Sequence, residues 1–145
     1  MKLSHIPLRL ISGAYILHAG IGKWSGDEDT AKAIHGMASG AYPVFASMEP
    51  TRFLRLLAAG EIGTGAALLV PMVSTAKAGA ALTGFSGALL GLYAKTPAMR
   101  KPGSIWPSQQ GTAVSKDSWL LAIGLALLVD SLTGRRKRSH AKADA

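Results

Sequence analysis

Four apolar segments, at residues 6–24, 53–72, 75–93 and 118–132, constrain this 145-residue chain more than any other feature. Each is about 15–20 residues long, roughly 22–30 Å at the helical rise, close to the thickness of a bilayer's hydrocarbon core. The fourth is short and needs a thinned bilayer edge. Arg9, Lys23, Arg55, Lys77 and Asp130 sit near segment ends, where long side chains reach back to water. Trp24, Tyr93 and Trp119 also lie near the ends, as in an interfacial aromatic belt. The pattern predicts an all-α fold, a four-transmembrane-helix bundle over residues 1–134, followed by a basic cytoplasmic tail at 135–145. A soluble four-helix bundle is the alternative, but its surface helices would be amphipathic, and these segments are apolar all round.

Composition narrows the classes further. The net charge is +8 and the mean hydropathy still +0.24, so charges are segregated from apolar residues and disorder is excluded. With no cysteine, disulfide scaffolds, thiolate zinc sites and thiol chemistry are excluded. A signal peptide over 1–24 would carry a small-residue cleavage site before Trp24, and none is clear, so a retained first helix is expected.

The connections carry their own signals. Asp27, Glu28 and Asp29 precede an alanine-rich stretch, and acids at a helix start favour the positive end of its dipole. A short interfacial helix is expected over 30–39. Pro71 and Ser74 mark a tight turn, and the Pro- and Gly-rich stretch 95–116 reads as an irregular loop. Four spans put both termini on one side, and Arg135, Arg136, Lys137 and Arg138 against the last segment make that side cytoplasmic. The same run could serve as a nucleic-acid patch, but its place beside an apolar segment favours a topology anchor, with no nucleic acid as partner.

Two ionisable residues lie well inside segments. Glu61 sits about 12 Å below Phe53, and His18 about 9 Å below Trp24, at similar depth on adjacent antiparallel helices. Tyr15 and Thr64 lie nearby, and Thr83 and Ser86 on the third segment reach comparable depths. A charge at the centre of a spanning helix costs about 2.5–3.5 kcal/mol, so Glu61 must be paired, protonated or facing a polar cavity. His18, Glu61, Tyr15, Thr64, Thr83 and Ser86 are therefore candidates for quinone head-group contact or proton relay. Arg9, Lys23 and Arg55 are candidate ion-pair partners. A purely structural hydrogen bond or ion pair between the first two segments is the competing account. Gly79, Thr83, Gly87 and Gly91 form a small-residue ridge for helix packing, within the bundle or in an oligomer. No metal site, phosphate loop or Ser-His-Asp pattern is present in the sequence, and haem has no second buried histidine.

Arg9, Gly13, His18, Gly20 and Lys23 in the first segment, with Gly60, Glu61, Gly63 and Gly65 in the second, resemble the DoxX family of small four-helix membrane proteins. The likeness covers about residues 6–132, and the 95–116 loop and the basic tail depart from it. The resemblance implies a bacterial or archaeal cytoplasmic-membrane protein, in some relatives a subunit of a quinone-linked oxidoreductase. The primary expectation is an accessory, quinone-interacting subunit of a membrane redox assembly, in contact with lipid and redox partners and with no cofactor of its own beyond the quinone. A non-catalytic scaffold or homo-oligomer, or a small-solute transporter, are the other classes.

Overall fold

In a computed structural model the backbone is described for residues 2–143 and the side chains for residues 2–134. The chain is all-helical: α1 His5–Trp24, α2 Glu28–Ala41, α3 Pro50–Leu69, α4 Thr75–Lys95, the single turn α5 Thr112–Ser115 and α6 Asp117–Ala143. The expected helix in the first loop is α2. The side chains of the basic run from residue 135 onward lie outside the described residues.

Local chemistry sets the helix starts. Asp27 caps α2, its carboxylate accepting from Thr30 N at 2.8 Å. Glu49 caps α3, accepting from Thr51 N at 2.8 Å and Arg52 N at 2.7 Å, with Pro50 in the first helical position. Ser74 caps α4 through Lys77 N. Pro71 ends α3 by forcing Val70 into an extended conformation, ψ 116°.

The helices pack as two close antiparallel pairs, α1 with α3 and α4 with α6, while α2 lies over α3. Glycines make each pair close. A Cβ at Gly65 would stand 2.7 Å from Leu17 N and 2.9 Å from Gly13 O; one at Gly79 would stand 2.9 Å from Leu128 N. Ile16, Leu68, Ala78, Leu82 and Leu127 join the pairs in one buried cluster. The buried Arg9 guanidinium clamps the α3–α4 turn, with Nε donating to Leu68 O at 2.7 Å, Nη2 to Ala67 O and Val70 O, and Nη1 to Val73 O at 3.1 Å.

The four-span expectation is corrected. Among the described residues only Thr112–Gly134, where α5 runs into α6, is long and apolar enough to cross a membrane. The reason is compositional. Arg9, His18 and Lys23 lower the hydropathy of α1; Arg52, Arg55 and Glu61 lower that of α3; and the glycines of α4 contribute almost none. An even number of spans, and with it the placing of both termini on one side, loses its basis. The 95–116 stretch is also more ordered than an irregular loop: it holds a 3₁₀ turn at Pro97–Met99 and a bridge between Arg100 and Pro107 around the buried Met99.

Gly65→Ala is expected to destabilise by about 1–3 kcal/mol through overpacking. Gly63→Ala, with open space around its Cβ position, is expected to stabilise by about 0.5–1 kcal/mol; thermal unfolding followed by circular dichroism separates the two. The cap hydrogen bonds hold Asp27 and Glu49 below their ordinary carboxylate range. Their stabilisation is complete above the unfolded-state values near pH 4 and is lost as pH falls through the lower folded-state values. Melting temperatures measured from pH 6 down to 3 should therefore fall less steeply for Asp27→Asn/Glu49→Gln than for the native chain.

Candidate functional site

Gly20 brings α1 so close to α3 that a Cβ there would stand 2.9 Å from Glu61 Cβ. One turn further on, Lys23 Nζ donates to both oxygens of Glu61, at 2.9 and 3.0 Å. The Glu61 side chain is 8% exposed and that of Lys23 27%, so the pair is largely withdrawn from water. Asp117, at the start of α6, lies within electrostatic reach of both. The three groups, two acids and one base, stand in the wall of a cavity of 570 Å³. The remaining wall is mainly apolar and aromatic, including Phe45, Phe53 and Phe85 from the first loop, α3 and α4, with Tyr15 and Tyr42. Tyr42 Oη donates to Ala88 O at 2.9 Å, and Lys95 Nζ stands 4.4 Å from its ring centroid. An edge contact of His35 with Phe53 at 5.5 Å, and Phe45 against Phe53 at 5.0 Å, fix the aromatic wall under α2.

Not all the residues singled out in the sequence meet here. Glu61 and Lys23 do, and Tyr15 reaches the cavity rim while remaining largely exposed. Thr64 is buried in α3, one turn from Glu61. His18 is exposed, because it falls two residues from the buried Ile16, nearly opposite the packed face of α1. Ser86 is buried and donates to Leu82 O in its own helix at 2.6 Å, a structural role. Thr83 Oγ1 faces Gly124, where an added Cβ would stand 2.7 Å away. Arg55 lies over Trp24 at 5.5 Å rather than on a carboxylate, and Arg9 holds backbone carbonyls. The small-residue ridge divides: Gly79 and Thr83 face α6, Gly91 faces the Tyr42 hydroxyl, and Gly87 has open space.

The chain matches no family model, no curated protein and no solved structure.

Sequence reasoning missed Asp117 and the aromatic wall, whose depth is set by packing between helices. It also missed the buried His5, whose Nε2 meets Asp130 at 2.7 Å, with Lys2 on the other carboxylate oxygen. The burial of His5 was readable in part. Arg9, Ser12, Gly13, Ile16, Gly20 and Lys23 repeat at spacings of three and four, the mark of one helix face, and His5 precedes Arg9 by four. Among the described residues no group of three or more His, Asp or Glu could hold a metal ion.

Removing Lys23 leaves Glu61 buried and uncompensated beside Asp117. Lys23→Met should therefore destabilise by about 2–4 kcal/mol, while Lys23→Met/Glu61→Leu recovers most of that loss. His18→Ala should change stability by less than about 0.5 kcal/mol. Chemical denaturation of the set checks both, and additive losses at 23 and 61 would show that the two side chains do not interact.

Proposed function

We propose that this chain is a membrane-bound, quinone-interacting accessory protein of a redox assembly, with the cavity between its helix pairs as the ligand site. The observation that carries the reading is the cavity itself: 570 Å³, walled by aromatic and aliphatic side chains, with Lys23 and Glu61 at one place in the wall. Small-molecule sites fall at about 300–1,000 Å³, mostly apolar, with a few polar groups that fix orientation. A quinone ring meets those demands. Lys23 Nζ can donate to a carbonyl oxygen, Glu61 can take or supply a proton beside it, and Phe53 and Phe85 can contact the ring faces. Electrons would come from a partner protein, as the resemblance to the DoxX family also implies.

Residence in the cytoplasmic membrane is part of the same proposal. Its support is the stretch Thr112–Gly134, which contains an apolar 18-residue window only 11% buried. A soluble protein's core helix of that hydropathy would be covered, whereas here Trp119, Leu125, Val129 and Leu132 are exposed.

The test is titration of the purified full chain with decylubiquinone, followed by quenching of tryptophan fluorescence. Saturable binding is expected, weakened at least about tenfold in Glu61→Gln and in Lys23→Gln, a loss of about 1.4 kcal/mol or more. Equal affinity in the native chain and both variants would remove the pair from the site, and no binding at all would remove the quinone.

A further inference from the structure

A second hollow lies outside the bundle, in the connection between α4 and α6. It encloses 310 Å³ and is lined by residues of a single turn, Arg100, Lys101, Pro102, Gly103, Ser104 and Ile105, together with Pro97. Its backbone is pre-set. Ser104 N donates to Lys101 O at 3.0 Å across Pro102 and Gly103, and Gly103 has φ 67°, the left-handed value that a Pro-Gly turn of this kind requires at its third residue. Lys101 N donating to Trp106 O at 2.9 Å and the Arg100–Pro107 bridge close the loop behind it.

The chemistry of the hollow is one-sided. From Lys95 to Lys116 the sequence has four cations and no carboxylate. Arg100 Nε is buried and, among the described residues, has no hydrogen-bond partner. A buried guanidinium nitrogen left without an acceptor is unfavourable, and an oxyanion is the acceptor its geometry suits best. Ser104 Oγ accepts from Trp106 N at 3.1 Å, which leaves its hydroxyl proton to donate. Beside the hollow, Ile105 and Trp106 project outward at 79% and 69% exposed. Trp and Lys or Arg together are the side chains that settle at a bilayer's head-group level.

We infer that this turn is a binding site for a phosphate group, held by Arg100, Lys101 and Ser104. The projecting Ile105 and Trp106 favour the phosphate of an anionic lipid over a free ion, since they can lie against its acyl chains. The site is separate from the Lys23–Glu61 cavity and stands whether or not a quinone binds there.

Isothermal titration of the purified full chain with inorganic phosphate, with dihexanoyl phosphatidylglycerol and with phosphate-free dihexanoylglycerol tests it. Phosphatidylglycerol is expected to bind, with affinity at least about tenfold weaker in Arg100→Gln and Lys101→Gln and unchanged in Lys32→Gln, a charge removed from α2. Phosphatidylglycerol binding tighter than inorganic phosphate, with the difference lost in Trp106→Ala, assigns the phosphate to lipid. Equal affinities that are both lost in Arg100→Gln assign the site to a soluble phosphate. Binding of phosphatidylglycerol that both Arg100→Gln and Lys101→Gln leave unchanged, or that dihexanoylglycerol matches, overturns the proposal.

Discussion

The structure depends on one buried arginine. The last carbonyls of a helix have no intrahelical donor, and a turn as short as the one between α3 and α4 exposes several of them at once. Arg9 reaches across from α1 and serves Ala67, Leu68, Val70 and Val73 with one planar group. No other side chain could do this: a lysine has a single nitrogen, and a neutral amide too few donors. The positive charge also meets the negative end of the α3 dipole. The clamp sets the register of α1 against α3. Lys23 lies fourteen residues, about 21 Å, further along α1. It meets Glu61 because the clamp holds one end of the pair and Gly13, Gly20 and Gly65 keep the axes close between.

How far the sequence could be read follows from the same facts. Helix existence and limits were legible, because they are local: the expected 6–24, 53–72 and 75–93 stand beside His5–Trp24, Pro50–Leu69 and Thr75–Lys95. The rotation of each helix about its axis was not. His18 has the depth of a site residue but lies on the open side of α1, and depth along an axis says nothing of azimuth. His5 shares the packed stripe with Arg9 and Ser12 and meets Asp130. Asp117 is remote from Glu61 in sequence, and only the approach of α6 to the first pair places it there.

Beside the charged residues of α1 and α3, the four-span reading failed for a reason that segment length conceals. Gly and Ala are counted as apolar, but each offers little surface to transfer out of water, and the hydrophobic effect scales with area. In α3 and α4 those residues serve close packing instead: Gly65 against Leu17, and Gly79 against Leu128. The residues that make a helix pair tight are the ones that make it a weak insertion signal. Among the described residues only the α6 region combines the length and the hydropathy of a membrane-crossing helix, and its Leu125, Val129 and Leu132 are exposed.

This division of labour also accounts for the cavity. The two pairs are tight within themselves, and the buried cluster of Ile16, Leu68, Ala78, Leu82 and Leu127 joins them. Around Lys23 and Glu61 every helix sends side chains to the wall, yet none fills the space. A buried ion pair is poor material for stability, because well-packed apolar residues of equal volume usually serve as well or better. Kept only to hold α1 on α3, Lys23 and Glu61 would be redundant with the close contacts at Gly13, Gly20 and Gly65. Set in the wall of an aromatic cavity, they supply the one thing that apolar packing cannot, charged donor and acceptor groups in that wall.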